Sequence, residues 1–386
     1  MSDLPASLPA PSAEALAHSE KLVALIRSDI AANAGWISFA RYMELALYAP
    51  DLGYYSAGAR KLGREGDFIT APEMTPLYGQ TLARQAVQVL ESGLDQILEI
   101  GAGSGALAAA LLTELERLER LPRQYYILEV SPDLRERERD LLAEKVPHLL
   151  ERVIWLNRLP TLYAGLIIAN EVLDAMPVHI IRTGATGIDE AGVALKDNAF
   201  AWAFRPASAE LRAAAEALRL PIGYQTEIQL VARGFIRTLA QSMERGVVLL
   251  IDYGFPAHEY YHIQRSVGTL MCHYRHRAHA DPFFLPGLQD ITSHVDFSAV
   301  ARAGREHGLD LLGYTGQAQF LINCGITDIL LRTKPEDALA YLPQAAATQQ
   351  LLSPSEMGEL FKVIALGKDY EPPLVGFADG DRRASL

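Results

Sequence analysis

Three glycines at alternate positions follow a short apolar run that contains one carboxylate. Gly101, Gly103 and Gly105 come directly after the letters ILEI, in which Glu99 is the only charged residue, and an alanine- and leucine-rich segment follows them. Glycine lets a backbone approach a ligand closely and adopt positive φ. The pattern therefore predicts a buried strand, a tight turn and a helix N-terminus that together hold a nucleotide-like ligand.

Two carboxylates indicate which ligand this would be. Glu99 lies two residues before the turn, where it would repel a pyrophosphate and attract an ammonium group. Glu129 lies at the end of the next apolar run, where a carboxylate accepts hydrogen bonds from both ribose hydroxyls. S-adenosylmethionine has a ribose, an ammonium group and no phosphate, so the pair favours a methyltransferase. The turn also fits a relaxed dinucleotide fingerprint, which leaves a nicotinamide enzyme as an alternative.

A second pair of carboxylates follows the apolar run LIIA at 166–169. Glu171 and Asp174 lie in the sequence NEVLDAMP directly after it. Ligands bind at the carboxyl ends of strands in open parallel sheets, so we expect both side chains near the reacting centre. Their spacing places them on one side of a helical turn, although Asp174 has a helix cap as an alternative role.

Polar side chains also gather between Pro50 and Gly79, a stretch without helical periodicity. Asp67, Thr70 and Glu73 lie in it and are predicted to bind substrate. Long segments without structure of their own are uncommon unless they are functional, which favours a role in the site.

A second polar segment, residues 268–297, carries four histidines and three aspartates. Their spacing matches no familiar zinc ligand set, so we predict no metal and expect a substrate-facing loop. Within it, His294 and Asp296 are candidate acceptors for a proton released during the reaction.

The remaining pattern predicts an α/β protein with a Rossmann-like sheet. Apolar runs at 153–156, 247–251 and 361–366 predict further strands. Asn157 and Asn170, which follow two of the strands, complete the predicted cofactor-binding residues. Helices are predicted at about 12–33, 39–47, 80–90, 208–219, 227–245, 296–307 and within 318–350. In the helix after Glu129, the run from Arg135 to Asp140 alternates in charge and is predicted to be a solvated face.

The same pattern predicts the domain organisation. An N-terminal helical and loop cap over 1–90 precedes a catalytic domain over 91–386. Within that domain, glycine-punctuated alternating runs predict an antiparallel insertion at about 178–225, and the substrate-facing loop occupies about 255–297.

Composition excludes several classes of partner. The net charge of −12 disfavours nucleic acid and anionic membrane surfaces, which both require a basic face. No apolar run is long enough for a membrane span, and the N-terminal residues have neither secretory nor transit-peptide character. Two cysteines form no disulfide framework. We therefore predict a cytoplasmic protein.

Several stretches together resemble the MidA-like family of S-adenosylmethionine-dependent methyltransferases. They occur in family order over nearly the whole chain. The glycine turn is shared by very many enzymes, whereas GDFITAPE and ANEVLDAMPV together are specific to the family. The stretches are GREGDFITAPE (63–73), LEIGAGSGALA (98–108), ILEVSPDLR (127–135), IIANEVLDAMPVH (168–179), LLIDYG (249–254), QDITSHVDF (289–297) and MGELFKVIALG (357–367).

The resemblance implies a Rossmann-like class I methyltransferase sheet with helices on both faces, an N-terminal cap and an inserted α+β element. The mitochondrial member of the family is a protein arginine methyltransferase and complex I assembly factor. Methyl transfer to a protein arginine, in a respiratory-complex subunit by this resemblance, is therefore expected. Glu171 is then the predicted clamp for the guanidinium, with Asp174 or Glu73 as the second carboxylate.

Two alternatives stay open at this point. A small-molecule amine methyltransferase would use the same acidic residues. A non-catalytic assembly factor would keep Glu99, the glycines and Glu129 but would not need Glu171. The acceptor and the oligomeric state are open as well.

Overall fold

In the computed structural model, residues 8–56 and 70–386 are described. The helices are α1 Ala13–Ala32, α2 Phe39–Tyr48, α3 Ala71–Met74, α4 Pro76–Glu91, α5 Ala106–Arg117, α6 Pro132–Lys145, α7 Ala209–Glu216, α8 Leu230–Ser242, α9 Ala257–Tyr260, α10 Phe297–Glu306, α11 Gln317–Asn323, α12 Ile326–Leu330 and α13 Ala338–Leu352. The strands are β1 Ile37–Ser38, β2 Gln96–Ile100, β3 Gln124–Leu128, β4 Val153–Leu156, β5 Tyr163–Asn170, β6 His179–Thr183, β7 Ile188–Lys196, β8 Ala199–Pro206, β9 Gln225–Ile228, β10 Met243–Phe255, β11 Met271–Tyr274, β12 Arg277–His279, β13 Asp290–Thr292, β14 Val295–Asp296, β15 Asp310–Gly316 and β16 Phe361–Lys368.

The described residues form two compact units. The antiparallel unit contains residues 8–56, Leu173–Arg233 and Ala257–Val295. The parallel-sheet unit contains residues 70–172, Gly234–Pro256 and Asp296–Leu386. The domain boundaries predicted from the sequence remain a prediction.

The parallel-sheet unit is built around strands in the order β15-β16-β10-β5-β2-β3-β4. The five strands from β10 to β4 pair in parallel, whereas β16 pairs antiparallel with both β10 and β15. The apolar runs predict such strands because a parallel sheet is covered on both faces, so successive residues are all buried. Ile97, Leu98, Ile167 and Ile168 are each 0% exposed. The predicted fold class is confirmed.

The antiparallel unit has two small sheets, one of β1, β6, β7, β8 and β9 and one of β11, β12 and β13. Helices α1 and α2 pack on this unit through Leu22, Ile26 and Phe39, which join one apolar cluster with Val178 and Val193. Ser12 caps α1 by accepting a hydrogen bond from the Ala15 N–H at 3.1 Å, as its position before the apolar periodicity predicts.

Two predictions about elements are wrong. A single helix over 227–245 is replaced by β9, α8 and the start of β10, because Gln225–Ile228 pairs with β6. The segment 268–297, expected to be a loop, contains the four strands β11, β12, β13 and β14. β9 pairs with the distant strand β6, whereas β11 pairs with β12 and β13 inside its own segment. Strand pairing decides the conformation in both places, and local propensity does not report it.

No helix among residues 8–56 and 70–386 is long and apolar enough to cross a membrane.

A buried carboxylate fastens α5 to the C-terminal part of the parallel-sheet unit. Glu114 is 1% exposed and accepts bidentate hydrogen bonds from both Arg117 and Arg332, at 2.8 to 3.0 Å. Burial alone would raise the pKa of Glu114, but the bonds from the two guanidinium groups outweigh it and lower that pKa below 4.5.

Replacing Glu114 with glutamine is expected to lower the free energy of unfolding at pH 7 by about 2–3 kcal/mol, because two charge-assisted bidentate contacts are lost. The native pKa lies below the unfolded one, so this stabilisation is present above about pH 4.5 and is lost as the pH falls further. Urea unfolding between about pH 3 and pH 7 measures it. The exposed Glu116 on the same helix is the control, and its glutamine variant should change stability by about 0.5 kcal/mol or less. Equal effects of the two substitutions would contradict the role of Glu114.

Candidate functional site

The turn after β2 has the backbone that its glycines predict. Gly101, Gly103 and Gly105 have φ values of +68°, +60° and +83°, in the region that favours glycine. A Cβ at Gly105 would lie 3.2 Å from the Glu138 Cα, and one at Gly101 would lie 3.0 Å from a Val172 methyl. Space and conformation thus both select glycine, and backbone N–H groups are left at the N-terminus of α5, where a ligand is bound in such turns.

Glu99 is the second-to-last residue of β2, close to the glycine turn, and is 2% exposed. Its Oε2 accepts a hydrogen bond from the Tyr125 hydroxyl at 2.6 Å. Burial raises the pKa of Glu99 to about 7, although the bond from Tyr125 acts in the opposite direction. A carboxylate with this pKa gains charge when a cationic group binds beside it, as expected of an ammonium ligand.

Glu129 directly follows β3, the neighbour of β2 in the sheet. Its Oε1 accepts a hydrogen bond from the Ser131 N–H at 2.7 Å, and burial raises its pKa more than the backbone bonds from Ser131 and Val130 lower it. Asn157 follows β4 and is exposed, and its Oδ1 accepts a hydrogen bond from Arg135. Arg135 also donates to the Glu129 backbone oxygen, so one arginine joins the ends of β3 and β4.

The predicted exposure of Glu138 on α6 is wrong. This residue belongs to the charged run predicted to be solvated, yet it is 0% exposed. The Trp155 Nε1–H donates to Glu138 Oε2 at 2.7 Å. The Cα of Glu138 lies beside Gly105. The prediction failed because charge alternation does not show which side of a helix faces the sheet. The spacing of four residues from Glu138 to the buried Leu142 is the signal that would have found it.

Asn170 is the last residue of β5, the other neighbour of β2, and Glu171 follows it directly. The Tyr78 hydroxyl donates to Asn170 Oδ1 at 2.6 Å, and Asn170 Nδ2 donates to Glu171 Oε1 at 3.1 Å. Glu171 has φ of +53°, which is rare for a residue with a Cβ, and its N–H donates to the Ile251 oxygen at 2.8 Å. A non-glycine residue held in this conformation costs about 1–3 kcal/mol and is typical of functional sites.

Of the three predicted substrate residues, Asp67 lies outside the described residues. Thr70 precedes α3, and its backbone oxygen accepts a hydrogen bond from the Glu73 N–H at 3.0 Å. Both side chains are partly buried and belong to the parallel-sheet unit. Their role in binding substrate stays a prediction.

The other predicted catalytic residues lie in different units. Asp174 and His294 both belong to the antiparallel unit, where the N–H of Ser293, the residue before His294, donates to the backbone oxygen of Asp174 at 3.0 Å. Burial, and to a lesser degree Arg265, lowers the pKa of His294 to about 4, so its imidazole is neutral at pH 7. Asp296 belongs to the parallel-sheet unit and caps α10 by accepting from the Ala299 N–H at 3.0 Å. Its carboxylate therefore has a structural partner already.

No group of three or more metal-ligating side chains occurs within the part of the chain that the structure describes.

The comparison with known families decides the kind of ligand that this sheet edge binds. Residues 81–315 match the family model of S-adenosyl-L-methionine-dependent methyltransferases. The chain belongs to this family. The predicted cofactor, S-adenosylmethionine, is thereby confirmed, and the nicotinamide alternative is no longer needed.

Relatives and solved structures agree with the family. The chain is 31% identical to the mouse Protein arginine methyltransferase NDUFAF7, mitochondrial, over 86% of this chain and 81% of that protein. It is 28% identical to the Drosophila melanogaster homolog of that protein, over 97% and 92%. A crystal structure from Burkholderia thailandensis, bound to S-adenosyl-homocysteine, has 52% identity and a TM-score of 0.96, covering 98% of this chain and all of that one.

The residues at the ends of β2 and β3 fit the methyltransferase cofactor. Glu99 would supply a buried carboxylate for its ammonium group, and Glu129 would supply acceptors for its ribose hydroxyls. A second observation supports a ligand here, because Glu138 Oε1 is buried and has no hydrogen-bond partner within the described residues. Buried polar atoms are normally paired, so a bound group is the expected partner. The roles of individual site residues stay predictions.

Proposed function

We propose that this methyltransferase transfers the methyl group to an arginine side chain of a protein. The observation that carries the proposal is Glu171, a carboxylate in a strained backbone conformation at the end of β5, beside the strand that leads into the cofactor turn. Other non-glycine residues, such as Leu162, share this conformation, so the position of the carboxylate at the carboxyl end of β5, where ligands bind in parallel sheets, is what supports the role.

The chemistry of arginine explains why a carboxylate is needed. A guanidinium is planar, carries its charge at pH 7 and has delocalised lone pairs, which makes it a poor nucleophile. A carboxylate that accepts two of its N–H groups orients the plane and draws positive charge away from the attacking nitrogen. The bound cofactor supplies an electrophilic methyl group, and the protein contributes alignment in a dry site.

The hydrogen bonds around Glu171 show how its carboxylate is oriented. The Tyr78 hydroxyl is buried and donates to Asn170 Oδ1, which leaves Asn170 Nδ2 to donate to Glu171 Oε1. The backbone is fixed separately, since the Val172 N–H donates to the buried Asp252 carboxylate at 3.2 Å. The bond from Asn170 thus orients the Glu171 carboxylate through Oε1, and the bond from Val172 to Asp252 fixes the neighbouring backbone. A guanidinium clamp requires a carboxylate that is held in place in this way.

Further roles belong to the same proposal. Asp174 or Glu73 as the second carboxylate, and Thr70 and Asp67 as substrate-binding residues, stay predictions from the sequence. His294 is the candidate acceptor for the proton released on transfer; burial lowers the pKa of its imidazole to about 4, so the imidazole is neutral at pH 7 but only weakly basic. The names of the curated relatives support a protein arginine as acceptor. A respiratory-complex subunit is the first acceptor to test, and the cytoplasmic location remains a prediction.

Incubation with methyl-labelled S-adenosylmethionine in a lysate lacking the protein's own gene tests this function. We expect label on one protein band, with peptide mapping placing the methyl group on arginine. Label confined to small molecules would favour an amine methyltransferase instead. An absence of any labelled product, together with measurable cofactor binding, would favour the non-catalytic assembly factor.

A further inference from the structure

Glu138 is a buried carboxyl group whose position the fold does not explain. Its side chain is 0% exposed, and one oxygen, Oε2, accepts the Trp155 Nε1–H at 2.7 Å. The other oxygen, Oε1, has no hydrogen-bond partner among residues 8–56 and 70–386. A buried carboxyl oxygen without a partner destabilises the folded protein, so its retention points to a ligand.

The backbone of Glu138 lies against the cofactor turn. A Cβ at Gly105 would lie 3.2 Å from the Glu138 Cα and 3.5 Å from its backbone oxygen, so α6 packs directly against the turn. The charges of Glu129 and Glu99 both act on Glu138. These two residues are the predicted partners of the ribose and the ammonium group.

The charges around Glu138 determine its protonation. The pKa of Glu138 is raised to about 8, chiefly by burial and to a lesser degree by the charges of Glu129 and Glu99, although the bond from Trp155 and the charge of Arg135 act in the opposite direction. Tyr125 also faces this group, and the Arg139 guanidinium lies 4.7 Å from the centre of the Trp155 ring. At pH 7 the carboxyl group is therefore protonated. Because Oε2 accepts a bond from Trp155, the proton belongs on Oε1.

We propose that Glu138 binds the cofactor as a neutral carboxylic acid, whose Oε1–H donates a hydrogen bond to an acceptor atom of the nucleoside. Glu129 then accepts hydrogen bonds from the same nucleoside while Glu138 donates one. One acidic residue thus acts as a hydrogen-bond acceptor for the nucleoside and the other as a hydrogen-bond donor. The proposal rests on the cofactor site at the ends of β2 and β3.

Glutamine is the matched test of a neutral donor, because its amide N–H₂ replaces the O–H and carries no charge. Calorimetric titration with S-adenosyl-homocysteine at pH 7 should give Glu138→Gln an affinity within about threefold of wild type, while Glu138→Ala binds about tenfold or more weakly. Above about pH 8 the wild-type affinity should fall by about tenfold per pH unit relative to Glu138→Gln. Glu136→Gln, at an exposed position of the same helix, should follow the wild-type profile.

Proton uptake gives a readout that a structural role would not change. At about pH 9 the wild type should take up about one proton more than Glu138→Gln on binding, measured in two buffers of different ionisation enthalpy. If Glu138→Gln loses as much affinity at pH 7 as Glu138→Ala, the neutral-donor role is wrong. If Glu138→Ala binds like wild type, Glu138 does not contact the ligand. A wild type that fails to bind would overturn the cofactor site itself.

Discussion

Replacing Glu171 with glutamine is expected to lower the turnover number by about 10²–10³-fold, with cofactor affinity unchanged. The amide has the same shape, but it lacks the charge that attracts the guanidinium and turns an N–H₂ group toward the N–H donors of arginine. Single-turnover transfer to the labelled acceptor measures the chemical step, and titration with S-adenosyl-homocysteine measures binding. Full turnover in Glu171→Gln would exclude the clamp.

The backbone of Glu171 adds a second expectation, which links the residue's function to its strain. Because Glu171 has φ of +53°, Glu171→Gly should raise the free energy of unfolding by about 0.5–1 kcal/mol while it abolishes transfer. Leu162, at the opposite end of β5, has φ of +54° and is 73% exposed. Leu162→Gly is thus the matched control and should gain similar stability with transfer intact. A Glu171→Gly variant that transfers methyl groups at the wild-type rate would show that neither the Glu171 side chain nor its positive φ is needed for transfer.

The parts of the site that could be predicted are those with a local signal. The spacing of Gly101, Gly103 and Gly105 fixes a conformation that only glycine adopts easily, and it occurs at the end of a run that has to be a buried strand. Glu99 and Glu129 follow from the same two strands. These positions depend on a few consecutive residues, so no knowledge of distant contacts is needed.

The parts that could not be predicted depend on contacts between distant residues. Tyr78 and Asn170 are 92 residues apart in the chain, and only the packing of α4 brings the hydroxyl to the amide. Glu227 is similar. The sequence pattern predicts a helix at this residue, but it lies in β9 and is 2% exposed. Its carboxylate accepts hydrogen bonds from Tyr260 and from the Thr269 and Leu270 N–H groups. The helical pattern of the segment did not reveal that a buried carboxylate would organise a loop 42 residues later.

Replacing Glu99 with glutamine is expected to weaken cofactor binding by about 10–100-fold, since a charge-assisted bond to the ammonium group is lost. The pH dependence identifies the cause. The carboxylate of Glu99 has a pKa of about 7, so wild-type affinity should rise as the pH increases through 7 and the group becomes charged. This rise should be absent in Glu99→Gln, and titrations with S-adenosyl-homocysteine between about pH 5.5 and pH 7.5 would show it.

Tyr125→Phe is the control that tests whether ionisation of Glu99 causes the pH dependence of cofactor affinity, because it changes the pKa of Glu99 while the carboxyl group stays in place. The Tyr125 hydroxyl donates to Glu99 Oε2 and lowers the pKa of that carboxyl group, so its removal should raise this pKa. The rise in affinity should then move to higher pH in Tyr125→Phe, whereas Glu99→Gln shows no rise at all. An unmoved rise in Tyr125→Phe would mean that another group titrates. Wild-type affinity in Glu99→Gln would mean that the ammonium group binds elsewhere, because a buried carboxylate beside a cation cannot be neutralised without a loss of attraction.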